Sequence, residues 1–214
     1  MSAICDITPF SLLDYPGIPA AIVWFGGCNL RCGYCYNPQI VYSKEQVEEE
    51  RVISFLEKRI GLLEGVVLSG GEATLYGRMV EFARRIKALG YKIKLDTNAM
   101  RPDVVLRLAE ERLLDYVALD YKTDRIGGWR EETFWETFHI LRLSGIEFEV
   151  RTTFHPDLMD DDELIETASK LAINGYAPLY VQRFKENVPT LGNMGSPIRQ
   201  ADYRRLKAFV SFRS

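Results

Sequence analysis

Ala20-Ala21-Ile22-Val23-Trp24-Phe25-Gly26-Gly27-Cys28-Asn29-Leu30-Arg31-Cys32-Gly33-Tyr34-Cys35 joins an apolar run to three cysteines through a glycine pair. The run over residues 20–25 has no polar alternation, so it has no face for solvent and reads as a strand buried on both sides. Such strands belong in a parallel sheet covered by helices. Working outward, residues 65–69, 91–96, 116–121, 148–153 and 179–184 have the same character. Helix-period stretches at 45–59, 79–89, 103–111, 131–143, 161–173 and 202–209 alternate with them. Several open on an acidic residue, and Gly90, Gly145 and Gly175 fit helix ends. No linker, repeat or low-complexity tract divides the chain, so residues 1–214 read as a single α/β domain. Right-handed βα crossovers allow an open doubly wound sheet or an incomplete barrel, and 214 residues suit six units better than eight. We expect a partial (β/α)6 TIM-like barrel.

Composition sets bounds on this reading. With 47% hydrophobic residues, 9 prolines and a formal charge of -3, the chain is an ordinary globular one, with no nucleic-acid or membrane partner expected. No apolar run approaches the roughly 20 residues that span a bilayer, and the N-terminal residues lack signal-peptide features, so the expected location is cytoplasmic. In a reducing compartment, three of the four cysteines crowded into one loop point to metal rather than disulfides. Cys5 reads as an isolated thiol, and the basic stretch 199–213 as a solvated helix face.

The unusual polar residues fall at the carboxyl ends of the predicted strands, where sites form in either architecture. Cys28 follows the first, Gly70-Gly71-Glu72 the second, Asp96 closes the third, and Asp120 and Lys122 the fourth. Arg151 lies late in the fifth, and Arg183 and Lys185 end the sixth. Cys28, Cys32 and Cys35 form CxxxCxxC, and three thiolates on a four-iron cube leave one iron able to bind an exogenous molecule. Structural zinc would need a fourth ligand from Cys5, His139 or His155, none of them near in sequence. Read by themselves, Gly70-Gly71-Glu72 also fits a tight turn before a helix, and Asp96 and Asp120 fit turn acceptors or helix caps.

The CxxxCxxC with Tyr34 before its last cysteine resembles the radical SAM superfamily, and Leu68-Ser69-Gly70-Gly71-Glu72-Ala73 is similar to its GGE motif. The resemblance implies a [4Fe-4S] cluster on Cys28, Cys32 and Cys35, with S-adenosyl-L-methionine held at its ammonium by Gly70, Gly71 and Glu72. Leu95-Asp96-Thr97-Asn98 and Leu119-Asp120-Tyr121-Lys122 look like segments of the glycyl-radical-enzyme activases, the group that includes pyruvate formate-lyase activating enzyme. There Asp96, Asp120 and Lys122 would approach the cofactor, and the two aspartates can share a monovalent cation. Asn37-Pro38 and Val150-Arg151-Thr152-Thr153 continue the likeness, with Asn37 and Arg151 as further cofactor contacts. The opening Thr8-Pro9-Phe10-Ser11-Leu12-Leu13-Asp14-Tyr15-Pro16-Gly17 is similar to anaerobic ribonucleoside-triphosphate reductase activating proteins.

What the resemblance implies is an anaerobic oxidoreductase that reductively cleaves S-adenosylmethionine and makes a glycyl radical on a partner enzyme, with flavodoxin or ferredoxin as electron donor. A small-molecule radical SAM enzyme, like 7-carboxy-7-deazaguanine synthase, is one alternative. A non-catalytic iron-sulfur or zinc module is another. Three residues depart from the activase pattern: Tyr36 for histidine, Ala99 for glycine, and Lys185 where some activases have histidine. Ala99 leads us to expect a turn that avoids positive φ, and Arg183 or Lys185 are the expected adenine contacts.

Overall fold

The structure, a computed structural model, describes residues 3–213. One sheet contains β1 (Ala3–Ser11), β2 (Ala20–Gly26), β3 (Gly65–Gly70), β4 (Lys92–Thr97), β5 (Tyr116–Asp120), β6 (Glu147–Phe154), β7 (Leu179–Arg183) and β8 (Val210–Arg213), side by side in chain order. β1 runs antiparallel to β2, and every later pair is parallel. The crossovers carry α1 (Pro38–Val41) and α2 (Glu49–Glu57), then α3 (Met79–Ala88), α4 (Pro102–Glu110), α5 (Glu131–Ser144), α6 (Asp161–Ile173) and α7 (Tyr203–Leu206) in turn. β1 and β8 are the two edges, so the barrel is partial, as expected.

Six of the eight strands match the predicted runs; β1 and β8 are additions. β1 carries Asp6, Thr8 and Pro9 among its apolar residues, which blurs the pattern, and an edge strand tolerates proline's missing N–H. The helix expected over 202–209 is only the short α7, after which the chain turns into β8; the basic residue Arg213 is therefore on a strand. The helix expected over 45–59 contracts to Glu49–Glu57.

Strand alternation separates two environments. Ala21, Val23 and Phe25 of β2, Val66 and Leu68 of β3, Ile93 and Leu95 of β4, and Val117 and Leu119 of β5 point toward the helices and form the main core. The opposite face is apolar only at its base, where Tyr15, Ala20, Ile22 and Val67 make a smaller cluster. Higher on that face the register aligns Asp120 with Arg151, Ser69 reaches Asp96 just past the last β3–β4 pair, and polar side chains replace apolar ones.

Ala99 corrects an expectation: its φ is 72°. Its carbonyl accepts a 2.7 Å hydrogen bond from the buried Thr137 hydroxyl of α5, and its amide donates to Thr97 Oγ1. Tertiary contacts thus outweigh the about 1–2 kcal/mol that left-handed backbone costs an L-residue.

Gly65 opens β3 against the Tyr15 ring, where an added Cβ would stand 2.9 Å from a ring carbon. Gly65→Ala should therefore lower the unfolding free energy by about 1–3 kcal/mol, measured as a reduced urea midpoint at unchanged slope.

Candidate active site

The cysteine loop leaves β2 and is gripped from two sides. From β3, the Gly71 amide donates to Phe25 O at 2.8 Å and the Glu72 amide to Gly27 O at 2.9 Å. The approach is so close that a Cβ on Gly71 would lie 2.0 Å from Gly27 O, and one on Gly70, at φ 137°, would lie 2.3 Å from Phe25 O. The glycine pair is thus required by backbone-on-backbone packing. From the C-terminal side, Leu191 N donates to Cys35 O and Gly192 N to Gly33 O, each at 2.9 Å. Tyr36, in the place expected for histidine, stacks on Phe184 and accepts the Lys185 amide at 2.6 Å. Within the loop, Arg31 donates to the carbonyls of Cys28 and Leu30 at 2.6 and 2.8 Å.

Cys28, Cys32 and Cys35 line one cavity, open on one side, with Asn37, Gly70, Gly71, Glu72, Asp96, Asp120, Lys122 and Arg151. The expected cluster and cofactor residues are therefore brought together, the expected adenine contacts Arg183 and Lys185 excepted. Burial pushes the Cys28 thiol up to about 11, and Cys32 is raised for the same reason. Asn98 Nδ2 and the Leu30 amide both point hydrogens at Cys28 Sγ. Among the described residues no three His, Cys, Asp or Glu side chains close around a point that one ion could occupy. His139 is exposed on α5, the His155 ring lies 3.3 Å from Gly195 O, and the Cys5 thiol donates to Trp24 O. Three sulfurs spread along a cavity wall suit a polynuclear cluster and do not suit tetrahedral zinc.

Glu72 is only 1% exposed and accepts four donors: Thr74 N, Thr74 Oγ1 and Thr97 Oγ1 at one oxygen, and Asn98 N at the other, 2.5–3.1 Å away. Burial pushes its carboxyl above the usual range, against the pull of these donors. The side chain staples the β3 end to the β4 end.

Below it lies a chain of paired, largely enclosed charges. Arg151 Nε meets Asp120 Oδ1 at 2.6 Å, and its Nη2 is 3.5 Å from Asp96 Oδ2. Lys94 Nζ holds the other Asp96 oxygen at 2.5 Å, Ser69 donates to Asp96 Oδ2 at 2.9 Å, and Lys122 lies 3.5 Å from Asp120 Oδ2. Glu149 connects Arg151 to Arg213 and to the Tyr116 hydroxyl. Burial raises both aspartates, but Arg151, helped by Lys94 at Asp96 and by Lys122 at Asp120, more than reverses this and holds them below the ordinary carboxylate range. Arg151 and Lys122 are correspondingly raised against their own burial. Each carboxylate oxygen of the pair already faces a donor from the chain, so a monovalent cation between the aspartates would have to displace one of them.

Lys94, Ser69, Asn98 and Glu149 were missed in the sequence. Lys94 and Glu149 carry a legible signal, since each is a charge two residues before a recognised one and so on the same strand face. Arg183 and Lys185 are corrected: neither lines the cavity, and Arg183 packs over the Tyr203 and Phe212 rings.

Glu72→Gln turns an amide NH2 toward donors and should destabilise the metal-free chain by about 1–3 kcal/mol, read from denaturant unfolding. Asp120 and Asp96 have depressed values, so their stabilisation is complete above the unfolded aspartate range near ~4 and is lost as pH falls through the folded values. The gap in thermal midpoint between wild type and Asp120→Asn should thus be largest near neutrality and shrink below about pH 3.

Residues 22–171 match the Radical SAM superfamily model. A Methanocaldococcus jannaschii protein assigned as a glycyl-radical enzyme activating enzyme is 28% identical over 205 residues, covering 86% of this chain and 84% of that one. The 7-carboxy-7-deazaguanine synthase of Koribacter versatilis is 34% identical over 92 residues, 42% of this chain and 39% of that one. Among solved structures, Streptococcus suis SuiB bound to S-adenosylmethionine superposes with a TM-score of 0.68 at 18% identity, over 87% of this chain and 48% of that one. The chain thus spans about half the length of that structure, and the likeness is one of fold. Among the described residues no helix is long and apolar enough to cross a membrane. With the family match running from β2 into α6 and three thiols facing the cavity between them, the chain belongs to the radical SAM superfamily, whose members use a [4Fe-4S] cluster and S-adenosyl-L-methionine.

Proposed function

We propose that this chain is an activating enzyme that generates a glycyl radical on a partner protein, and that the partner is an anaerobic ribonucleoside-triphosphate reductase. The observation that carries the reading is coverage: the likeness to the activating protein extends over 86% of this chain, whereas those to deazaguanine synthases extend over 42–50%. The segment from Thr8 to Gly17 supports the choice of partner. We read residues 1–214 as one radical SAM domain working in the cytoplasm, where thiols stay reduced.

In this reading Cys28, Cys32 and Cys35 ligate the cluster. Bound there, the cluster and S-adenosylmethionine would supply the one-electron chemistry for removing a hydrogen atom from the partner's glycine, the electron coming from the external donor. The chain's own residues position and exclude. Gly70 and Gly71 bring backbone to the methionine end, and Asn37 lines the cavity beside them. Lys122 and Arg151 supply fixed positive charge for a carboxylate, with Asp96 and Asp120 balancing it. Glu72, its oxygens already engaged, fixes the loop geometry on which ammonium binding depends. Leu30, Val41 and Leu191 keep the cavity wall dry, and the open side of the barrel admits a peptide. The cysteine loop reaches the surface at Asn29 and Arg31, and in this reading flavodoxin or ferredoxin delivers the electron there.

The second reading, a small-molecule substrate, is favoured by the higher identity of the deazaguanine synthase segment. One experiment decides between them. Protein reconstituted anaerobically with iron and sulfide is given dithionite and S-adenosylmethionine, with and without the reductase. We expect 5′-deoxyadenosine in both samples and a glycyl-radical signal in electron paramagnetic resonance only with the reductase. Cys32→Ala should abolish both outputs. Cleavage with no partner-borne radical would transfer the weight to the small-molecule reading.

A further inference from the structure

The two aspartates of the cavity floor are an acid pair of the kind that ordinarily recruits a dissolved cation, and here each is matched from within the chain. Lys94 is 3% exposed and reaches Asp96 Oδ1 at 2.5 Å along its own strand, because residues two apart share a face. Arg151, on β6, spans the gap between the acids, with Nε on Asp120 and Nη2 toward Asp96. Lys122 takes the remaining Asp120 oxygen and Ser69 the remaining acceptor site of Asp96. Three cations thus face Asp96, Asp120 and the neighbouring Glu149, and an added metal ion would have to displace a donor that already stands at each aspartate oxygen.

We propose that Lys94 is a built-in substitute for a monovalent cation: a positioning residue that keeps Asp96 ionised and oriented, making cofactor binding independent of potassium or sodium. Lys94 is not among the residues lining the cavity, so it acts through Asp96. Arg151 alone does not complete the arrangement, since it reaches Asp96 at 3.5 Å and only on the oxygen that Ser69 already serves. The inference rests on the reading that this cavity holds S-adenosylmethionine, but its first test does not.

That test measures the thermal midpoint of the metal-free full chain in potassium, sodium and choline chloride at matched ionic strength. Wild type should give the same midpoint in all three salts. A saturable rise in potassium or sodium over choline would overturn the proposal. Lys94→Met leaves an Asp96 oxygen unmet, and its midpoint should rise in potassium or sodium relative to choline; an unresponsive variant would also count against the proposal. Should Lys94→Met fail to fold, Lys94→Arg must remain salt-indifferent, and a cation requirement in it would overturn the claim. In reconstituted protein, S-adenosylmethionine affinity should be salt-independent for wild type and about ten-fold tighter in potassium than in choline for Lys94→Met. If the cofactor fails to bind at all, the proposed function falls while the metal-free comparison still decides the role of Lys94.

Discussion

Arg151 between Asp96 and Asp120 is the contact on which the rest of the site depends. Both carboxylates are largely withdrawn from water, which by itself favours the protonated form. A guanidinium spanning the pair solves this for two strands at once and ties β4, β5 and β6 together on the inner face. Lys94, Lys122, Glu149 and Arg213 extend the same pairing along the barrel, as far as the edge strand β8. Preorganised charge of this kind is expensive to assemble, and it is most useful where a charged ligand must be held without water rearranging around it.

The cysteine loop is fixed by a different means. Its neighbours contact it through backbone: Gly71 against Gly27 on one side, Leu191 and Gly192 against Cys35 and Gly33 on the other. No side chain could occupy the Gly71 position without moving the loop that carries Cys28. The glycine motif after β3 and the cysteine motif after β2 are therefore one structural unit, joined by two main-chain hydrogen bonds, and the Glu72 side chain ties that unit to the Thr97-Asn98 turn. The departures from the activase pattern fit this unit. Tyr36 pins the loop to the end of β7, and Ala99 accepts a strained φ because Thr137 holds its carbonyl.

Residues at the ends of β2 to β6 reach the cavity, while β7 contributes no lining residue and instead buttresses the loop through Phe184 and Lys185. The asymmetry places the charged wall on one side of the thiols and the C-terminal segment, with Leu191, on the other. The superfamily's cluster and cofactor chemistry is thus enclosed by fixed charge on one flank and by a short loop on the other.

Sequence alone determined the parallel strands, because continuous apolar runs leave no solvent face, and it determined the cysteines, glycines and aspartates at their carboxyl ends, because chemistry restricts which residues can stand there. It did not disclose β1 or β8, whose edge positions weaken the apolar pattern. Nor did it disclose what each acidic group is paired with. Glu72 is also a staple between two strand ends, Lys94 is a counterion of Asp96, and Arg151 bridges the two aspartates. Strand period tells which face a side chain occupies, but partners across strands are set by register and by reach in space. Only the assembled sheet decides those.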